Sequence, residues 1–130
     1  MKKKQFKDIY PIYTTTLPKS DTLFTSVDTI LESIKEKIEA HPIAAYIAIF
    51  DSHKHTSSLE MGVVSPEIKA AKNILCCFGK ELKNPEILSV RPRSIGVADM
   101  GDCFHISFLQ APNEAANDAM IAWVTSLKKD

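Results

Sequence analysis

Between Ser26 and Ala40 the apolar residues fall at Val27, Ile30, Leu31, Ile34 and Ile38, the spacing of one helix face. Asp28, Glu32, Lys35, Glu36 and Glu39 take the opposite side. Thr25 or Ser26 can cap the start, and His41-Pro42 ends the run, because a residue before proline is pushed out of the helical region. A second stripe, Ala116, Met120, Trp123, Val124 and Leu127, follows a cap at Asn113. Ser65-Pro66-Glu67 has a capping serine and a proline at the first helical position, so it predicts a short helix that ends by Lys72.

Elsewhere the period shortens. Phe6 to Leu17 is rich in β-branched and aromatic residues and reads as a strand, with Pro11 at an edge or at the strand start. Pro18 to Asp21 reads as a turn. Ile43 to Phe50 is apolar on both faces, which predicts a buried central strand, and Asp51 to Ser58 reads as a polar loop. Ile74 to Phe78, closed by Gly79, is a further strand, and Ile87 to Val97 contains another. Asp99-Met100-Gly101-Asp102 has hairpin chemistry. Cys103 to Leu109 alternates, with Phe104, Ile106 and Phe108 opposite Cys103, His105 and Ser107. Together these predict an α+β two-layer sandwich: a mainly antiparallel sheet of four to five strands, with two long helices and one short helix on one face. One domain spans residues 1–130, with 1–5 as a flexible tail. One layer of helices leaves the second face of the Ile43–Phe50 strand uncovered, and a homodimer would bury it.

Composition narrows the function classes. Lys plus Arg and Asp plus Glu both number 16, so the net charge is zero and no basic excess points to nucleic acid. No apolar run approaches the ~20 residues of a membrane span, and the lysines at the start are not followed by the apolar segment of a signal peptide. Three cysteines cannot close into a disulfide framework, so reduced thiols in a cytoplasmic compartment are expected.

The candidate chemistry is scattered. Arg91 and Arg93 flank Pro92 on one side of an extended segment, where two guanidinium forks could clamp a carboxylate or phosphate. Structural salt bridges are the ordinary alternative. Asp51, His53 and His55 would share a face if the preceding strand continued, making the two histidines weak candidates for a metal ion, with His105 able to contribute from the hairpin. Cys76 and Cys77 point to opposite faces and read as buried, inert thiols; Cys103 beside His105 is a better-placed pair without an orienting third group. No phosphate loop, dinucleotide fingerprint or nucleophile elbow occurs, and no cofactor is called for.

The segments Cys76-Cys77-Phe78-Gly79-Lys80 and Arg91 to Val97 make the chain resemble an uncharacterised bacterial domain-of-unknown-function family. It is more distantly similar to domain-of-unknown-function family three-zero-two, a two-layer α+β fold. The similarity runs over roughly Val27 to Leu127 and takes in the Asp51–Thr56 loop, Ile68-Lys69-Ala70-Ala71 and Ala111-Pro112-Asn113. It implies the fold and dimerisation, but no activity. Where that wider family follows its glycine with Asn-Pro, this chain has Lys80-Glu81. The expected function is a non-catalytic, homodimeric binding module for a small anion or a protein partner, using Arg91, Arg93, Asp51, His53, His55 and His105. The alternative is a metal-dependent enzyme or metal-binding protein built on the Asp51-His53-His55 loop.

Overall fold

In the computed structural model, which describes residues 1–130, the first apolar stripe forms helix α1 (Val27–Ala40). Ser26 and Thr29 make a reciprocal cap: the Ser26 hydroxyl accepts from Thr29 N–H at 3.1 Å, and Thr29 Oγ1 accepts from Ser26 N–H at 3.2 Å. At the far end His41 leaves the helix, and its Nδ1 accepts the N–H groups of Ile43 and Ala44, each at 3.1 Å. His41 therefore terminates the helix and also organises the turn that follows. Every residue of the expected stripe is buried.

The strands are β1 (Lys2–Phe6), β2 (Tyr10–Pro18), β3 (Ala45–Asp51), β4 (Ala70–Cys77), β5 (Arg93–Asp99) and β6 (Cys103–Leu109). They form one antiparallel sheet in the order β1-β2-β6-β5-β4-β3. Helix α1 lies over β3, β4 and β5, and α3 (Glu114–Thr125) packs beside it on the same, inner face. Leu17, Ile74, Cys76, Ile95, Val97, Phe104, Ile106 and Phe108 rise from the sheet to meet the two helices. The Asp99–Asp102 hairpin forms as expected. Gly101 takes φ +97°, which no side-chain-bearing residue adopts easily, and Asp99 Oδ1 accepts the Gly101 N–H at 2.8 Å.

Four expectations need correction. The sheet has six strands, not four to five. The added strand is β1: Lys7 and Asp8, at φ 53° and 64°, turn the chain so that the basic terminal segment pairs with β2. All five β1 side chains are exposed, so only backbone pairing holds it and no hydrophobic period marks it. Second, β3 is an edge strand and not central; it pairs with β4 alone, with a bulge at Ile47. Ile47, Ile49 and Phe50 are 48%, 41% and 48% exposed. The argument for chain pairing from a doubly buried strand therefore loses its premise. Third, residues 65–69 form no helix, and Lys69 N–H instead bonds Asp99 O at 2.7 Å as β4 begins. Fourth, the expected polar loop is the one-turn helix α2 (Ser52–Ser57), which Asp51 caps through Lys54 N–H at 2.8 Å. Its links are to the outer face, through Ser52 to Asn73 at 2.6 Å and His55 against Phe50, so only the two long helices cover the inner face.

Ile34→Ala, at a fully buried position under the helix layer, is expected to lower unfolding stability by about 2–5 kcal/mol. Ile47→Ala on the rim should change it by less than about 0.5 kcal/mol. Urea denaturation of both variants measures the difference, and comparable losses would contradict the edge position of β3.

Candidate functional site

The two arginines singled out by sequence come together at one end of the sheet. Beyond β4 the chain runs through Phe78 and Gly79, crosses an exposed loop, makes a short 3-10 turn at Pro85–Val90 and enters β5 at Arg93. Opposite this turn, Ala111-Pro112-Asn113 leads from β6 into α3. Between them lies a cavity of about 420 Å³, lined by Arg91, Arg93, Lys80 and Glu81, with Phe78, Ile87, Val90, Pro112 and Ala116 among its apolar walls.

Backbone carbonyls hold both guanidinium groups. Arg91 donates from Nη2 to Glu81 O at 2.6 Å. It lies so close to Gly79 that a Cβ there would be 2.8 Å from Nη1, so glycine is what allows the approach. Arg93 donates from Nη1 to Val90 O at 3.1 Å and from Nη2 to Leu109 O at 2.5 Å, while its Nε is buried without a partner. Burial draws the Arg93 pKa below its usual value, opposed by the field of Cys76. The ion pairs of the fold are Lys19–Asp99, Lys72–Asp28, Lys72–Asp51 and Lys83–Glu81. Neither arginine belongs to one, so structural salt bridges do not account for them. A carbonyl oxygen satisfies hydrogen-bonding capacity but leaves the positive charge uncompensated.

Asn117 was not among the residues sequence reasoning named. It is 5% exposed; its Oδ1 accepts Ala111 N–H and its Nδ2 donates to Ala111 O, both at 2.8 Å. It thereby fixes the wall opposite the arginines. The available signal was a polar residue within the apolar stripe of α3.

The other named residues lie elsewhere. Asp51 caps α2, and its second oxygen is 3.9 Å from Lys72 Nζ. His53 and His55 are on helical backbone, where a two-residue step turns about 200° and does not keep them on one face. No three His, Cys, Asp or Glu side chains come within reach of a common ion. His105 is on the outer face, with Nε2 2.8 Å from Thr14 Oγ1; burial and then Lys4 lower its pKa. Burial, followed by Cys77, pushes the Cys76 thiol up to about 11. Burial and the neighbouring Asp102 also raise Cys103. Neither is an activated thiol.

Fold and site together define a small α+β protein with a cationic, apolar-walled cavity between its helix layer and the end of its sheet. The chain belongs to a family of unknown function (DUF6858), whose model matches residues 1–129. No curated protein and no solved structure matches it. Membership of an uncharacterised family agrees with the sequence expectation at that level; the matched model carries no statement about bacterial origin or about family three-zero-two. No helix is long and apolar enough to cross a membrane.

Iodoacetamide at pH 7.5 is expected to modify Cys103 no faster than an ordinary free thiol, and Cys76 only after unfolding. Mass spectrometry of timed, quenched samples follows both, and rapid labelling of Cys103 would show activation that its surroundings do not provide.

Proposed function

We propose that the chain is a small-molecule-binding protein without catalysis of its own, and that the cavity at Arg91 and Arg93 takes a compact amphipathic anion. The ligand's carboxylate or phosphate lies against the guanidinium groups, with Lys80 near the mouth, and its apolar part lies against Phe78, Ile87, Val90 and Pro112. The observation that carries this reading is that two arginines line one cavity and neither has a carboxylate partner. An anion would supply the missing charge where partial desolvation strengthens the contact. The absence of a nucleophile–base–orienter set around the cavity favours binding over turnover.

A panel of aromatic and medium-chain carboxylates, their phosphate counterparts and their neutral amides tests this by thermal shift and calorimetry. Anionic members are expected to stabilise the fold by about 2.7 kcal/mol at a free concentration one hundred times Kd, and the amides should not. Arg91→Gln is expected to weaken binding about 10–100-fold, the loss of one charge-assisted contact of roughly 1.5–3 kcal/mol. If amides and acids bind equally, or if Arg91→Gln binds as the parent does, the assignment fails.

The reading also includes a reducing, cytoplasmic setting, supported by three free thiols, and two copies joined as a homodimer. With β3 at the rim, its unpaired edge and exposed Ile47, Ile49 and Phe50 are what support pairing. Sedimentation at micromolar concentration should give twice the 14.5 kDa chain mass, and a clean monomer would remove the dimer without touching the cavity.

A further inference from the structure

The two long helices cover one face of the sheet, and the other carries a groove of about 550 Å³. Strand register aligns Lys2, Thr14, Ser107, Gly96 and Asn73 as one row across five strands. Lys4 and His105 flank the row, and Ser94 lies beside Gly96. Among the lining residues are the cationic Lys4, Arg93 (which also lines the Arg91 cavity), several hydrogen-bonding groups and no carboxylate. Gly96 keeps the floor open: a Cβ there would come within 3.3 Å of Asn73 Nδ2 and 3.7 Å of Ser107 O.

The hydrogen bonds leave donors free to face this space. Ser52 Oγ donates to Asn73 Oδ1 at 2.6 Å, and Asn73 Nδ2 donates to Ser94 Oγ at 2.9 Å. Ser94 therefore accepts within the chain and keeps its own O–H to donate. On the other side, Thr14 Oγ1 and His105 Nε2 are 2.8 Å apart. When His105 is neutral with Nε2 as acceptor, Thr14 spends its proton on the ring. When His105 is protonated, Nε2–H donates to Thr14 Oγ1, and the Thr14 O–H is released toward the groove.

We propose that this groove is a second binding site, distinct from the Arg91 cavity, for a small tetrahedral oxyanion such as a phosphate or sulfate group, held by Lys4, Thr14 and His105. Binding takes up a proton at His105. The groups facing His105 are Lys4 and Lys2 from β1, Arg93 at the groove's far end and Cys103 two residues along β6, whose raised pKa keeps it neutral at pH 7. A bound anion offsets the burial and the Lys4 field that hold the ring neutral. Affinity therefore increases as pH falls, by about tenfold for each unit by which the bound His105 pKa exceeds the free one.

Sulfate, whose charge is constant over the range, is the probe; the whole chain is titrated by two-dimensional amide NMR at pH 5.5 and 8. Saturable shifts are expected at Thr14, His105 and Ser107, tighter at pH 5.5, with a raised pKa for the His105 ring. Lys4→Gln and the near-isosteric Thr14→Val should each weaken binding severalfold, whereas Arg91→Gln should leave it unchanged. Non-saturating shifts at both pH values, shifts spread over surface lysines, or equal binding by Thr14→Val would overturn the site. Loss of binding in Arg91→Gln would place the sulfate in the other cavity and equally overturn it. Inorganic phosphate and a sugar phosphate, compared at fixed pH, then separate a free ion from the headgroup of a larger ligand.

Discussion

Burial of two helix stripes against one face of a six-stranded sheet is the constraint from which the other features follow. Val27, Ile30, Leu31, Ile34 and Ile38 of α1 and Ala116, Met120, Trp123 and Val124 of α3 enclose Ile74, Ile95, Phe104 and Ile106. Each fully buried aliphatic or aromatic side chain contributes about 1.5–3 kcal/mol of transfer free energy, far more than any exposed ion pair here. With both long helices on one side and only the short α2 against the other, the sheet presents most of that second face to solvent. There its strands carry Thr14, Ser94, Gly96, Ser107 and His105 between the apolar Phe6, Ile12 and Leu109.

The same layering produces the arginine cavity. α3 begins close to the start of β5, and Asn117 fixes the approach of Ala111 by bonding both its N–H and its C=O. Arg93, at the first position of β5 and on the inner side, is partly buried and has no acid to neutralise it. It spreads its donors over two carbonyl oxygens. This arrangement costs free energy for the folded chain alone, since a partly desolvated charge is retained without compensation. An anionic ligand relieves that cost, and the location explains why the apolar walls and the charge occur together.

The two sheet edges differ in their defence. β1 carries Lys2, Lys3 and Lys4, charges that discourage further strand pairing, and its exposed side chains leave it held by backbone bonds. β3 carries no charge from Ala45 to Phe50 and has only the Ile47 bulge to disturb its ladder. Its inner side is anchored by Tyr46, under the Lys35 ammonium at 4.5 Å, and by Asp51 near Lys72.

Local signals sufficed wherever an element's own side chains decide its state. The α1 stripe with its Ser26 cap, the α3 stripe with its Asn113 cap and the Gly101 hairpin could be read directly, because period, cap and positive φ depend on neighbours in sequence. Pairing decided the rest. An apolar run such as Ala45–Phe50 states that a strand wants burial, but hydrogen-bond partners more than twenty residues away set whether it ends in the middle or at the rim. β1 has no buried face to announce it, and Asp51 turned an expected loop into α2 by capping it. The arginine pair was visible at Arg91 and Arg93, yet only the folded chain places them in one cavity where neither pairs with an acid. It also sends His105 to the opposite face, because a sheet residue's side is set by register, which spans the chain.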